Sequence, residues 1–332
     1  MISTILEMDT EERYCNRGKV DTGTSCNYNC SFCYYKDQLK NITDLETIKR
    51  RVDYLAECGI TEVDLSGGES SIHPNWFEIL EYCSSKGMKI STLSNGSMFC
   101  CEVFLTKSFN YGLKEILFSL HGYDRESHDE MVGEVGAFDR IMQAIDHANN
   151  LAMTVRINCV VTYRNYKHLK DEYVDLIHSI FCYEVNFLTL NPWQDADFEF
   201  LDYRDVAPEL KATIDRLLVK WVNVRYIPFC YMIEYEKNVC NTYQHIYDIY
   251  DWNMAVYNEN LQPEDYKGNE LKCLYEAARR DRILHFERPE ECKKCKYYFI
   301  CDGIDDVGQE VLPVEGEQIR EVNHYRKGFY ED

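Results

Sequence analysis

The 332-residue sequence contains no uncharged apolar run approaching the roughly 20 residues that cross a bilayer, so no membrane span is expected. Its opening, MISTILEMDTEERYC, lacks the basic start and apolar stretch of a signal peptide and carries Glu7, Asp9, Glu11 and Glu12 instead. Positive charge is also scarce: 36 Lys and Arg stand against 57 Asp and Glu, a net charge of −21. Phosphate neutralisation needs clustered cations, so a chain this acidic is a poor general binder of nucleic acid and is equally poorly suited to anionic membranes. The acidity itself fits solubility. There is no internal repeat and no low-complexity linker. Together these absences lead to the expectation of a cytoplasmic protein with one large α/β domain and a smaller appendage.

Cysteine is plentiful, at 16. In a reducing cytosol that number points away from disulfides and towards metal or catalysis. Three cysteines share the short stretch CNYNCSFCYY: Cys26, Cys30 and Cys33. No His or Cys follows closely enough to close a four-ligand zinc loop. Three thiolates on a four-iron, four-sulfur cluster would leave one iron open to a small molecule.

Residues 18–230 alternate strand-like and helix-like segments. Strand candidates are 19–25, 61–67, 89–95, 115–121, 154–162, 185–191 and 223–229. Helical spacing places Leu45, Ile48, Val52, Leu55 and Ala56 near one face of 44–59, and Phe138, Ile141, Met142, Ile145 and Ala148 on one face of 138–151. This repetition predicts a parallel sheet with helices outside, read as a partial (β/α) TIM-like barrel rather than a flat doubly wound sheet. The C-terminal strand ends then form the active-site rim, where the cysteine loop, GGES (67–70), SNGS (94–97) and HGYD (121–124) converge. Residues 231–332 are Tyr-rich and weakly periodic. They carry a second cysteine group and read as a small cluster-binding region separate from the 1–230 core.

The cysteine loop, with Phe32 just before its last cysteine, resembles the signature of the radical S-adenosylmethionine (SAM) superfamily. SGGES resembles that family's Gly-Gly-Glu element and TLSNGS its turn after the third strand. FSLHGYDRESHDEMVGEVGAFDR (118–140) resembles the fourth-strand segment of members with extra clusters. The resemblance implies that Cys26, Cys30 and Cys33 hold a 4Fe-4S cluster. SAM would chelate the open iron and, on accepting one electron, yield a 5′-deoxyadenosyl radical that removes a hydrogen atom from substrate. It implies Gly67, Gly68 and Glu69 as SAM contacts, with Ser119 and Asn158 as further candidates for its ribose and carboxylate. An electron donor such as flavodoxin or ferredoxin is implied too.

Cys273, Cys292, Cys295 and Cys301 resemble part of the SPASM/twitch extension, which implies a second 4Fe-4S cluster, with zinc as the alternative occupant. Cys230 or Cys240 could replace Cys273. The family pattern is incomplete: Asp305 stands where a further cysteine belongs, and no cysteine follows Cys301. Cys230, after Pro228 at the end of the seventh strand candidate, is open to three roles: auxiliary ligand, catalytic donor of a hydrogen atom to a substrate radical, or buried thiol. The remaining core cysteines, and His121 and His128, read as structural.

The expected substrate is a small polar metabolite that is dehydrogenated, epimerised or rearranged. Only 25 residues precede Cys26, too few for a leader-binding domain, which weighs against the alternative of a maturase for ribosomally made peptides. A non-catalytic iron–sulfur or zinc scaffold is a third reading; the Gly-Gly-Glu element argues against it, because a scaffold has no use for a SAM site.

Overall fold

The computed structural model describes residues 17–33, 35, 41–189, 201–240, 255–256, 286–305 and 310–320. Seven parallel strands follow one another: β1 (Arg17–Asp21), β2 (Glu62–Ser66), β3 (Lys89–Ser94), β4 (Leu113–Ser119), β5 (Thr154–Val161), β6 (Glu184–Thr189) and β7 (Trp221–Arg225). They are connected through α1 (Leu45–Glu57), α2 (Trp76–Ser85), α3 (Glu102–Asn110), α4 (Arg125–Val132), α5 (Ala137–Asn150), α6 (Val174–His178) and α7 (Tyr203–Arg216). The spatial order is β7-β6-β5-β4-β3-β2-β1, and the short β8 (Ala255–Val256) adds to the free edge of β1. A doubly wound sheet would reverse its order at a switch point. Here every crossover steps the same way, which keeps all helices on one face and curls the sheet into an open barrel.

Local chemistry sets the elements. Asp44 caps α1 by accepting from Thr47 N at 2.9 Å, and Ile48, Val52 and Leu55 bury its inner face. Asp124 and Ser127 form a reciprocal capping box on α4. On the strands, Val63, Leu65, Ile116, Phe118, Ile157, Val185 and Phe187 pack into the apolar core. The alternate residues, by the two-residue strand period, face the barrel interior and are mostly polar.

Those interior residues form two layers. At the N-terminal strand ends, Arg17 pairs with Glu62 (3.0 Å) and Glu115 (2.9 Å), and Arg156 with Glu115 (2.7 Å) and Glu184 (2.9 Å). Above lies a row in register: Ser119, Asn158, Asn186 and Asn223 on β4, β5, β6 and β7.

The seventh strand ends earlier than the 223–229 expectation. Tyr226 adopts φ +63° and Pro228 has no N–H to donate, so ladder pairing stops at Arg225. Cys230 therefore lies in a separate 3₁₀ turn, Phe229–Tyr231. The hairpin β9 (Phe286–Glu287) and β10 (Ile304–Asp305) frames the second cysteine group. Tyr297, Ile300 and Ile304 from this segment join the same core as the barrel.

Candidate active site at the strand ends

The loop carrying Cys26, Cys30 and Cys33 follows β1 and is held from three sides. From the end of α4, Val132 O accepts from Asn29 N (3.1 Å) and Met131 O from Ser31 N (3.0 Å). Arg140 on α5 donates to Tyr28 Oη at 3.0 Å. From the turn after β3, Asn95 Nδ2 reaches Asn27 Oδ1 at 2.9 Å and Cys26 Sγ at 3.8 Å. Phe32 is buried and meets His121 edge-on, 4.8 Å between ring centroids. Burial pushes the Cys26 thiol up to about 11. Cys30 is raised by burial and then by its neighbours Cys26 and Cys33.

The Gly67–Glu69 turn after β2 is stitched to this loop. Gly68 N donates to Gly23 O (2.8 Å) and Glu69 N to Ser25 O (2.9 Å). A Cβ on Gly68 would lie 2.1 Å from Ser25 O, and one on Gly67, at φ +122°, 2.0 Å from Gly23 O. Both glycines thus permit the chain to approach itself just before Cys26. Gly68→Ala is accordingly expected to displace the Thr24–Cys26 segment and lower iron retention at the first cluster. Iron per chain after anaerobic reconstitution tests this, and wild-type iron would show that the approach is dispensable.

Glu69 is buried, which raises its carboxyl, while donors from Ser71, Asn95 and Ser94 oppose that shift. Oε1 accepts from the Ser71 hydroxyl and from Ser94 Oγ (2.9 Å). Oε2 accepts from Asn95 N at 2.7 Å. Among the described residues no other donor is recorded on Oε2, and a carboxylate oxygen can take a second.

Ser119 and Asn158 sit side by side in the interior row. Asn223 Nδ2 donates to Asn186 Oδ1 (3.1 Å), and Asn186 Nδ2 donates to Glu184 Oε1 (2.6 Å). Asn158 Oδ1 is buried with no hydrogen-bond partner among the described residues. A buried amide oxygen of this kind costs stability unless a ligand supplies the donor. The residues therefore fit a bound cluster and SAM: three neighbouring thiols, an acceptor beside them at Glu69, and an unpartnered acceptor at Asn158.

His121 and His128 are buried and serve the backbone. His121 Nδ1 accepts from Val160 N (3.1 Å), and His128 Nδ1 accepts from His121 N (3.2 Å). Burial lowers both rings, His128 to about 4.

A second thiol group lies beyond β7. Cys230, Cys292, Cys295 and Cys301 line one cavity with Pro228, Arg288 and other residues. Burial, then Cys295 and Cys230, push Cys292 up to about 11, and Cys301 is raised by burial and then by Cys230. Cys240 is buried with its sulfur directed to Asn238 O (3.9 Å), and Cys273 lies outside the described residues. No disulfide joins any of the fourteen cysteines among the described residues. Among those residues no group of three or more Cys, His, Asp or Glu is closed tightly enough to hold a single ion, and this includes the first loop.

Several functional candidates escaped the sequence reading: the Tyr28–Arg140 contact, Asn186, Asn223 and Arg288. Strand alternation carried a signal for Asn186 and Asn223; the others arise from contacts distant in sequence.

Residues 20–178 match the family model described as the radical SAM superfamily. Among curated proteins, the chain is 28% identical over 149 residues to the antilisterial bacteriocin subtilosin biosynthesis protein AlbA of Bacillus subtilis, covering 44% of this chain and 33% of AlbA. It is 31% identical over 150 residues to a probable GTP 3′,8-cyclase of Thermoplasma volcanium, covering 43% and 44% of the two chains. Both matches span less than half of the relative. The solved structure of native anSMEcpe with bound AdoMet and Cp18Cys peptide superposes with a TM-score of 0.56 at 17% identity, covering 95% of this chain and 94% of that one. At that identity the likeness concerns the fold. No helix among the described residues is long and apolar enough to cross a membrane.

Proposed function

From the premise that this chain carries the radical SAM domain, we propose that it cleaves SAM reductively and abstracts a hydrogen atom from a small polar substrate bound inside the half-barrel. The observation that carries this reading is the junction of the thiol loop, the Gly67–Glu69 turn and the Asn95 turn at one rim. A four-iron cluster with SAM, when bound, supplies the one-electron cleavage and the radical.

The chain's residues have separate tasks. Cys26, Cys30 and Cys33 ligate. Glu69 Oε2 accepts from the SAM ammonium, while its other oxygen is fixed by Ser71 and Ser94, so that the carboxylate is oriented before the ligand arrives. Asn158 Oδ1 accepts from a hydroxyl or ammonium of the bound molecules, with Ser119 beside it. Gly67 and Gly68 act by letting the two loops touch. The interior amides favour a polar substrate over an apolar one. An external one-electron donor of the flavodoxin or ferredoxin type and a cytoplasmic setting complete the proposal.

Glu69→Gln retains shape and removes the charge. Loss of one charge-assisted bond should weaken SAM binding by about 1.5–3 kcal/mol, roughly ten- to a hundredfold. Calorimetric titration of SAM into the reconstituted protein measures it, and unchanged affinity would remove Glu69 from the SAM site. Formation of 5′-deoxyadenosine by the wild-type chain tests the activity itself.

A further inference from the structure

The geometry points to Cys230 as the fourth thiolate of a closed metal site with Cys292, Cys295 and Cys301, holding a four-iron, four-sulfur cluster with a protein ligand on every iron. This deepens the proposed function, on which it rests for the presence of such clusters. It gives the second cluster no iron free for substrate, and so separates it from the open cluster at Cys26, Cys30 and Cys33.

The four thiols come from two segments whose relative position is fixed by packing. After Tyr226 and Pro228 turn the chain, the Phe229 ring stacks on Tyr297 with centroids 5.3 Å apart. Tyr297 donates to Glu236 Oε1 at 2.6 Å, and Tyr231 donates to Glu310 O at 2.6 Å. The neighbours of Cys230 on both sides are thus pinned to the segment that carries the other three cysteines. Within that segment a 3₁₀ turn brings Cys295 N to Cys292 O (2.9 Å), and Cys301 N donates to Tyr297 O (2.9 Å). Among the described residues Cys230 lines the cavity together with these three cysteines, and Cys240 does not.

The lining suits a cluster. Its cysteines offer four sulfur donors and no carboxylate lines it; the charged group present is Arg288, whose Nη1 donates to Tyr298 O at 2.6 Å. Four thiolates around iron and sulfide carry net negative charge, and a guanidinium at the wall offsets it. One zinc ion would draw every sulfur to about 2.3 Å from a single centre, so metal content separates the two occupants.

The test uses the full chain with Cys26, Cys30 and Cys33 all replaced by alanine, so that only the second site can load. Anaerobic reconstitution should give about four irons per chain and the spectrum of a reduced four-iron cluster. Cyanide, which binds an open iron, should leave that spectrum unchanged. Adding Cys230→Ala should remove more than half of the iron. Cys230→Ser, which keeps an oxygen ligand, should retain iron with an altered electron paramagnetic resonance signal. Cys240→Ala is the control for folding and should keep both iron and signal. Full iron and an unaltered signal in Cys230→Ala would overturn the assignment. So would equal loss in Cys240→Ala, a cyanide-shifted spectrum, or zinc filling the site in preference to iron. None of these readouts depends on SAM, so their failure leaves the proposed activity standing, and failure of SAM cleavage leaves this site standing.

Discussion

Replacing Cys26, Cys30 and Cys33 together with alanine is expected to abolish SAM cleavage and to remove about half of the roughly eight irons held by two four-iron clusters. The size of the effect follows from the ligand set. The loop offers these three thiols, and iron held by fewer has no site to remain in. The fold should survive, because the loop is fastened by groups other than its sulfurs. Asn29 and Ser31 bond to the end of α4, and Tyr28 is held by Arg140. The Tyr28 and Phe32 side chains supply the buried contacts. Loss of iron with unchanged thermal unfolding of the apo form is therefore the predicted pair of results. Continued production of 5′-deoxyadenosine by the triple variant would sink the proposed function.

The second large effect is structural. Glu115→Gln should destabilise the protein by about 3–5 kcal/mol in urea at neutral pH, because one buried carboxylate serves two buried guanidiniums. A neutral amide at this position would leave Arg17 with Glu62 alone and Arg156 with Glu184 alone, so each buried guanidinium loses one of its two carboxylate partners. Burial alone would raise the Glu115 carboxyl; Arg156, then Arg17, overcome it and hold the group at about 2, against an ordinary 4.5. A carboxyl lowered on folding stabilises above its unfolded value and loses that contribution as pH falls through its folded one. The wild-type chain should thus lose about 3 kcal/mol between roughly pH 4.5 and pH 2 from this group, and the variant should lack that part of the decline. Parallel pH profiles for the two proteins would show that the pairs contribute little.

The legible part of the site was local. Cys26, Cys30 and Cys33 lie within eight residues, and their spacing is visible without a fold. Gly67, Gly68 and Glu69 are likewise contiguous, although what the glycines accommodate, the Gly23 and Ser25 carbonyls, is not. Alternation along β5 places Arg156 and Asn158 on one face, which is readable without a fold. It did not show that Asn223 donates to Asn186 and Asn186 to Glu184 while the Asn158 oxygen is left without a donor among the described residues, because that depends on side-chain reach across three strands. The 223–229 strand expectation failed at its end, where hydrophobic pattern continues but Tyr226 and Pro228 stop the ladder. The two-residue β8 carries too little pattern to be seen.

By itself the sequence determined the repeating strand–helix order, the rim on which the loops gather and the three-thiol chemistry of the first loop. Each of these depends on residues close together in the chain, where periodicity and spacing are enough. Only the tertiary structure decided that Cys230 joins Cys292, Cys295 and Cys301 around one cavity. It also decided that Asn95 reaches Cys26, and that Glu115 stands between two arginines. Those arrangements are set by the stacking of Phe229 on Tyr297, by loop closure and by strand register. They form when the whole core packs, since no short segment contains both partners.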